Sequence, residues 1–232
     1  MTAIDARSGV LVRVWAALAT VRDPELDQPV TELGFVAAAS VEDGRARVRL
    51  RLPTYFCAPN FAYLMVADAR DAVREVPGVS EVDVKLEDHF AAEEINEGVA
   101  ASAGFEGSFP AHANGELDEL RDTFRRKAHL ACLERACRKL IASGWHIEEL
   151  AHVQLADLPD SPERASLVRR RAELGMSTED DALLFTEDDG GPVAAGQVAG
   201  RLRFAKAVRV SVDGNAAFCR GLLTTRYPEA SP

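Results

Sequence analysis

The residue with the clearest chemical setting in this sequence is Cys57, which lies between a strand pattern that ends at Leu52 and a helical pattern that begins near Asn60. The backbone N–H groups at a helix N-terminus carry partial positive charge, which stabilises a nearby thiolate. The thiolate is the form of cysteine that binds metals and attacks electrophiles. The alternative is a small side chain that fills a loop, but a turn rich in proline and aromatic residues is not typical of a core strand. We therefore interpret Cys57 as a functional thiol.

Three strands and two helices surround this turn and must position the thiol. The apolar spacing predicts, in order, a helix over residues 10–21, strands over 33–41 and 45–52, a helix over 61–76 with Asn60 as its cap, and a strand over 82–86. Gly44 suits the hairpin turn between the first two strands because glycine tolerates positive φ. A helix connects the last two strands, so they are expected to run parallel. This α-β-β-α-β order predicts a small α+β domain.

Carboxylates and an imidazole are predicted to lie at the same sheet edge as Cys57. The carboxyl ends of parallel strands share one edge, so Asp88 and His89, which follow the last strand, leave the sheet beside Cys57. The loop that leads into the first strand begins with Asp23 and Glu25 and also reaches that edge. The sequence therefore predicts one site, in which the Cys57 thiol is surrounded by the four supporting residues Asp23, Glu25, Asp88 and His89.

Four motifs in this region occur together in a known domain. They are Asp23-Pro24-Glu25-Leu26, Leu33-Gly34-Phe35-Val36, Cys57 ahead of a helix, and Val79-Ser80-Glu81-Val82-Asp83-Val84. With them, residues 8–90 resemble the SufT/PaaD-like iron–sulfur assembly domain. The resemblance implies a protein that matures iron–sulfur proteins or assists an oxygenase, with Asp23, Glu25 and Cys57 as its functional positions. Pro53 and Ala58 depart from the family pattern, which indicates a specialised, oxygenase-linked branch.

The segment after this domain is predicted to be an acidic linker. Residues 91–115 contain four glutamates and no lysine or arginine, and are otherwise rich in alanine, glycine and serine. If the first part forms a helix, His89 and Glu93 lie on one face at i and i+4. A solvated acidic helix is the more frequent explanation of that spacing, so Glu93 is a weak candidate ligand.

Residues 116–228 are predicted to form a helix-rich, small α/β accessory domain. A long helix over 116–143 carries His129 and Cys132, which are weak candidate metal ligands, and Cys137, which points about 140° away from Cys132 on a helix. Core-facing thiols are the more frequent explanation of such cysteines. Strands are predicted over 152–158, 182–185 and 208–212, with helices over 162–174 and 195–206 and a last helix after residue 215, in which Cys219 is interpreted as a packing residue.

Composition excludes several classes of partner and compartment. The formal net charge is −10, and no region has the basic excess that nucleic acids or anionic membranes require, so neither is expected as a partner. No apolar run reaches the about 18 residues of a membrane-spanning helix. Four unevenly spaced cysteines and the lack of a signal-peptide pattern predict reduced thiols in the cytoplasm.

These observations predict a maturation factor rather than an enzyme. It would bind iron or an iron–sulfur cluster transiently through Cys57 and deliver it to a client metalloenzyme, with a di-iron oxygenase as the client class by analogy. One thiolate cannot supply the four ligands of a cluster, so a homodimer partner, a small thiol or the client must supply the rest. Two alternatives stay open: a metal-free chaperone of an oxygenase subunit, and a thiol enzyme with His89 as its base.

Overall fold

The computed structural model of the chain describes residues 3–109, 116–187 and 191–228. Its elements are α1 (Ala3–Leu18), β1 (Val36–Glu42), β2 (Arg45–Arg51), α2 (Pro59–Arg74), β3 (Glu81–Glu87), α3 (Ala92–Ala100), α4 (Gly104–Ser108), α5 (Glu116–Ala142), two 3-10 helices (Ile147–His152 and Leu155–Asp157), α6 (Pro162–Glu173) and α7 (Ala195–Arg226). The chain divides into two compact units, one of residues 1–119 and 215–232 and one of residues 120–214. No helix within the described ranges is long and apolar enough to span a bilayer.

The first unit is built on a three-stranded sheet with β2 at its centre. β1 pairs antiparallel with β2, and β2 pairs parallel with β3 through the crossover helix α2. The predicted α-β-β-α-β order and the parallel last strand are therefore confirmed. Apolar residues and arginines alternate along β2, and this alternation decides which face of the strand is buried. Ala46, Val48 and Leu50 are buried, while the arginines between them face outward.

The helices of this unit bury their apolar faces in one core with the sheet. Val14 and Leu18 of α1 and Val66 and Val73 of α2 are fully buried in that core. Complete burial of such a side chain contributes about 1.5–3 kcal/mol. The packing holds β2 and β3 in place, and so fixes the two loops that follow them.

Two glycines of this unit occupy turns that require them. Asp43 and Gly44, with φ of 49° and 80°, form the hairpin between β1 and β2, as is typical of a type I′ turn. Gly34 has a φ of 75°, and a Cβ added there would lie 3.1 Å from Leu223 Cδ2. This turn at Gly34 explains why β1 begins at Val36, later than the predicted residue 33.

The predicted acidic linker is wrong for its described residues, 91–109, because they fold onto the first unit. Ile95 and Val99 of α3 are buried in the same core as the sheet. Asn96 of α3 accepts a hydrogen bond from the Leu86 amide (2.8 Å) and donates one to the Leu86 carbonyl (3.0 Å). It thereby satisfies a peptide group on the outer edge of β3, which would otherwise be open. Residues 110–115 of the predicted linker lie outside the described ranges.

The second unit is helical, and its predicted strands are wrong. The helix-rich character is confirmed, and Ser161 caps α6 by accepting a hydrogen bond from the Arg164 amide (3.2 Å). The segments 152–158 and 182–185 pair through an isolated bridge between Gln154 and Leu183 and form no strand. Residues 208–212 lie inside α7, where Arg209 pairs with Asp213 at 2.7 Å in i, i+4 spacing. A short apolar run does not by itself distinguish a strand from a buried helix, and in this segment the chain is helical.

Candidate functional site

Cys57 lies in the loop that leaves β2, two residues before α2 begins at Pro59. Its side chain is half-buried, and its sulfur lies 3.0 Å from the Thr54 hydroxyl oxygen. The helix cap is Ala58 rather than the predicted Asn60, because Pro59 occupies the first helical turn and needs no N–H partner. The thiol thus lies at the carboxyl edge of the sheet, where it is partly exposed and contacts the Thr54 hydroxyl.

His89 fixes the Cys57 loop to the end of β3. Its Nδ1 accepts a hydrogen bond from the Ala91 backbone amide (3.1 Å), which can only donate, so the ring proton must be on Nε2. Nε2 then donates to the Cys57 carbonyl oxygen at 2.7 Å. Only 5% of the His89 residue surface is exposed. The imidazole therefore joins the two loops as a neutral ring.

The surroundings of His89 keep it neutral. Burial lowers the pKa of the imidazole, and the positive charge of Arg226 lowers it further. Protonation would place a hydrogen on Nδ1 and break the bond with Ala91. Since both ring nitrogens are engaged, His89 has no free lone pair for a metal ion and none to act as a base. Its role in this geometry is to position Cys57.

Asp23 organises the loop that precedes β1. Its Oδ1 accepts hydrogen bonds from the backbone amides of Glu25 (2.9 Å) and Leu26 (2.8 Å), as in an Asx-turn. Burial raises the pKa of Asp23 to about 6 in spite of these two bonds. Glu25 is half-buried, and its Oε1 accepts a hydrogen bond from the Asn215 side chain at 3.2 Å. These carboxylates shape the loop, with Glu25 directed toward α7.

Asp88 directly follows β3 and has a left-handed backbone conformation with φ of 52°. Its Oδ2 accepts a hydrogen bond from the Tyr227 hydroxyl (3.0 Å), and its carbonyl oxygen accepts one from Arg226 (2.5 Å). Asp88 is thus occupied in holding the end of α7 to the sheet edge.

The structure adds one residue that the sequence did not suggest as part of the site. Cys219 of α7 is half-buried in the first unit. Burial and then the negative charges of Asp23, Cys57 and Glu25 raise the pKa of its thiol to about 11. Cys219 therefore lies within electrostatic reach of the predicted thiol and of both predicted carboxylates. The helical spacing of Ala216, Cys219 and Leu223 is the sequence signal that could have placed it on an inward face.

The three weaker candidates do not join this site. Glu93 is exposed on α3, and His89 lies before that helix, so the predicted i, i+4 pair does not form. His129 and Cys132 are buried in α5 of the second unit, where Cys132 packs in the hydrophobic core. Across residues 3–109, 116–187 and 191–228, no cluster of three or more His, Cys, Asp or Glu side chains could hold a metal ion.

Replacing His89 is expected to loosen the Cys57 loop. His89→Ala leaves the Cys57 carbonyl and the Ala91 amide without partners, which should cost roughly 1–3 kcal/mol in the free energy of unfolding. His89→Gln retains a donor for the carbonyl and should recover part of the loss. Urea unfolding measures the stability, and peptide-resolved alkylation rates report the accessibility of Cys57. Equal stability and equal alkylation rates in the wild type and His89→Ala would rule out the positioning role.

The sequence of the segment that carries this site is similar to that of known proteins. Residues 11–84 match the sequence model of the family described as iron–sulfur cluster assembly protein. The uncharacterized protein MJ1129 of Methanocaldococcus jannaschii is 32% identical over 82 residues, which are 35% of this chain and 84% of that protein. The crystal structure of a domain of unknown function, DUF59, from Bacillus anthracis is 22% identical, with a TM-score of 0.34, over 44% of this chain and 98% of that one. Through the segment that carries the Asp23 loop, the sheet and Cys57, the chain belongs to the iron–sulfur cluster assembly protein family, and its role is related to iron–sulfur cluster assembly.

Proposed function

We propose that this chain is an accessory maturation factor that binds iron or an iron–sulfur cluster transiently through Cys57 and delivers it to a client metalloenzyme. The observation that carries the proposal is the setting of Cys57. Its thiol is half-buried at the carboxyl edge of the sheet, and its loop is tied to β3 by the 2.7 Å bond from His89. A fixed, accessible thiol can accept a metal and release it again.

The hydrogen bonds of the His89 ring support an accessory role rather than an enzymatic one. A cysteine nucleophile needs a nearby base that accepts its proton and a third group that orients the base. His89 uses Nδ1 to accept from Ala91 and Nε2 to donate to the Cys57 carbonyl, so it contacts the backbone of Cys57 rather than its sulfur. The group next to the sulfur is the Thr54 hydroxyl, which is not a base at neutral pH.

The proposed mechanism is ligand exchange. Cys57 loses its proton to solvent as its sulfur binds iron, and the sulfur is displaced when a client thiolate or carboxylate takes its place on the metal. An iron–sulfur cluster is usually held by four protein ligands, so this chain holds its cargo only together with other ligands. A second copy of the chain, a small thiol or the client itself can supply them. An incomplete ligand set suits delivery because it keeps release fast.

The client that we propose is a di-iron oxygenase, by the resemblance to oxygenase-linked proteins, and the compartment is the cytoplasm. All four cysteines are free thiols, which suits a reducing environment. Neither nucleic acid nor membrane has a place in this proposal, because the chain carries a net charge of −10.

Anaerobic reconstitution tests the proposal. The reduced protein is incubated with ferrous iron and sulfide and desalted, and its iron, sulfide and visible absorption are then measured. Transfer of the bound iron to an apo-ferredoxin is followed in the presence of a chelator. We expect bound iron with sulfur-to-iron charge-transfer bands, and transfer that is faster than from free iron. A protein that emerges from desalting without iron would instead favour the metal-free chaperone.

A further inference from the structure

The last turns of α7 return to the first unit and cross the sheet edge that carries Cys57. Residues 215–232 belong to that unit, and Ala216 and Leu223 are buried in its core. Leu223 reaches the turn at Gly34, where a Cβ would lie only 3.1 Å from its Cδ2. This close approach fixes one face of the helix against the loop that precedes β1.

Polar contacts fix the same helix on both sides of Cys219. On the N-terminal side, Asn215 donates to Glu25 at 3.2 Å. On the C-terminal side, Arg226 donates to the carbonyl oxygens of Leu52 (3.1 Å) and Asp88 (2.5 Å). The helix therefore runs from the Asp23 loop to the two loops that leave β2 and β3.

Cys219 lies at the centre of the face that makes these contacts. On a helix that turns about 100° per residue, Asn215, Ala216, Leu223 and Arg226 all lie within about 60° of Cys219. The thiol is thus directed toward the sheet edge rather than away from it. Its electrostatic interactions with Cys57, Asp23 and Glu25 agree with this direction.

We propose that Cys219 is the second thiolate ligand of the site, so that Cys57 and Cys219 hold the iron cargo together between the sheet edge and α7. This inference rests on the proposed function. Each thiol releases one proton to solvent as its sulfur binds the metal, and no electron is transferred. Two thiolates are half of a four-ligand set, and a second chain, a small thiol or the client completes it. Soft sulfur ligands of this kind select iron–sulfur clusters and similar thiophilic metals over hard cations.

The pairing also gives α7 a role in cargo release. Because the two thiols come from separate elements, a client that displaces α7 from the sheet edge removes one ligand and weakens the hold on the metal. The polar contacts that such a client would have to break include those of Asn215 with Glu25, Arg220 with Gln28, Arg226 with Leu52 and Asp88, and Tyr227 with Asp88.

Titration with Co²⁺ under anaerobic, reducing conditions tests the pairing. The intensity of the sulfur-to-cobalt charge-transfer band scales with the number of thiolate ligands. We expect about half of the wild-type intensity for both Cys219→Ser and Cys57→Ser, no band for the double variant, and an affinity lower by at least roughly tenfold for each single variant. Cys137→Ser, which replaces a buried thiol of the second unit, is the matched control and should retain the full band.

The outcomes separate this inference from the proposed function. A wild-type band that Cys219→Ser leaves unchanged in intensity and affinity would overturn the pairing and leave Cys57 as the ligand. A wild type with neither a cobalt band nor reconstituted iron would remove the proposed function itself. A short bifunctional thiol reagent that fails to cross-link Cys57 and Cys219 in the metal-free protein would contradict the geometry directly.

Discussion

Cys57→Ser is expected to remove most of the iron retained after reconstitution while the fold stays intact. A serine hydroxyl does not ionise near neutral pH and is a hard, weak ligand for thiophilic iron. The exchange of sulfur for oxygen is nearly isosteric, and Cys57 is half-buried in a loop, so the free energy of unfolding should change by no more than about 1 kcal/mol. Iron per chain, transfer to apo-ferredoxin and a thermal melt measure these effects.

Cys137→Ser is the control with the opposite behaviour. Cys137 is fully buried in α5, and burial raises the pKa of its thiol to about 12. Its replacement places a hydroxyl in an apolar core, which should cost roughly 1–3 kcal/mol of stability without changing the iron retained by the first unit. If Cys57→Ser instead retains all of its iron and still activates the client, the Cys57 thiol carries no cargo.

The second unit is expected to lose about 3 kcal/mol of stability as the pH falls from 6.5 to about 4, because of His129. Burial, helped by the charge of Arg171, lowers the pKa of this imidazole from 6.5 to about 4. Its Nε2 is buried and has no hydrogen-bond partner among the residues that the structure describes. Above pH 6.5 the ring is neutral in both states and the unit has its full stability. Below it the unfolded chain takes up the proton first, so stability falls until the folded ring also titrates near pH 4.

The charges around His129 support this direction. Arg171 of α6 is only 1% exposed and donates to the carbonyl oxygens of Ser177 (2.6 Å) and Leu183 (2.9 Å), so its charge stays beside the ring. The cleft that contains His129 has a volume of about 1250 Å³. Its other charged lining residues are Asp122, Arg126, Glu173, Glu187 and Arg201. Burial alone would raise the pKa of Asp213, but its hydrogen bonds and ion pairs with Arg135 and Arg209 lower that pKa overall. The stability that Asp213 contributes is therefore lost only at a pH below the range in which His129 acts.

Urea unfolding over this pH range measures the effect in the second unit alone. Trp145 packs against the core of that unit, and Trp15 belongs to the first, so a Trp15→Phe background isolates the relevant fluorescence. His129→Leu should flatten the pH profile, whereas His152→Gln, at an exposed histidine of the same unit, should reproduce the wild-type profile. A slope that persists in His129→Leu would assign the titration to other groups.

The sequence was sufficient to predict those parts of the first unit whose geometry follows from local residue patterns and chain connectivity. Alternation in residues 45–52 and helical spacing in 61–76 define β2, α2 and the loop between them. Because α2 connects β2 to β3 as a parallel crossover, the carboxyl ends of both strands must lie at the same edge of the sheet. That Cys57 and His89 meet there follows from these two facts. The hydrogen bond from His89 Nε2 to the Cys57 carbonyl oxygen joins the two loops at that edge.

The tertiary structure decided what the local pattern could not. Residues 91–109 have the composition of a linker, yet Ile95 and Val99 find a place in the core and Asn96 pairs with the open edge of β3. Alternating valines in 208–212 suit a strand, but they continue a helix whose Arg209 pairs with Asp213 one turn later. Cys219 interacts electrostatically with Glu25 and Cys57 because the last turns of α7 pack against the core of the first unit. The burial of a helix face against a distant segment depends on contacts between residues far apart in the chain, and no local periodicity encodes them.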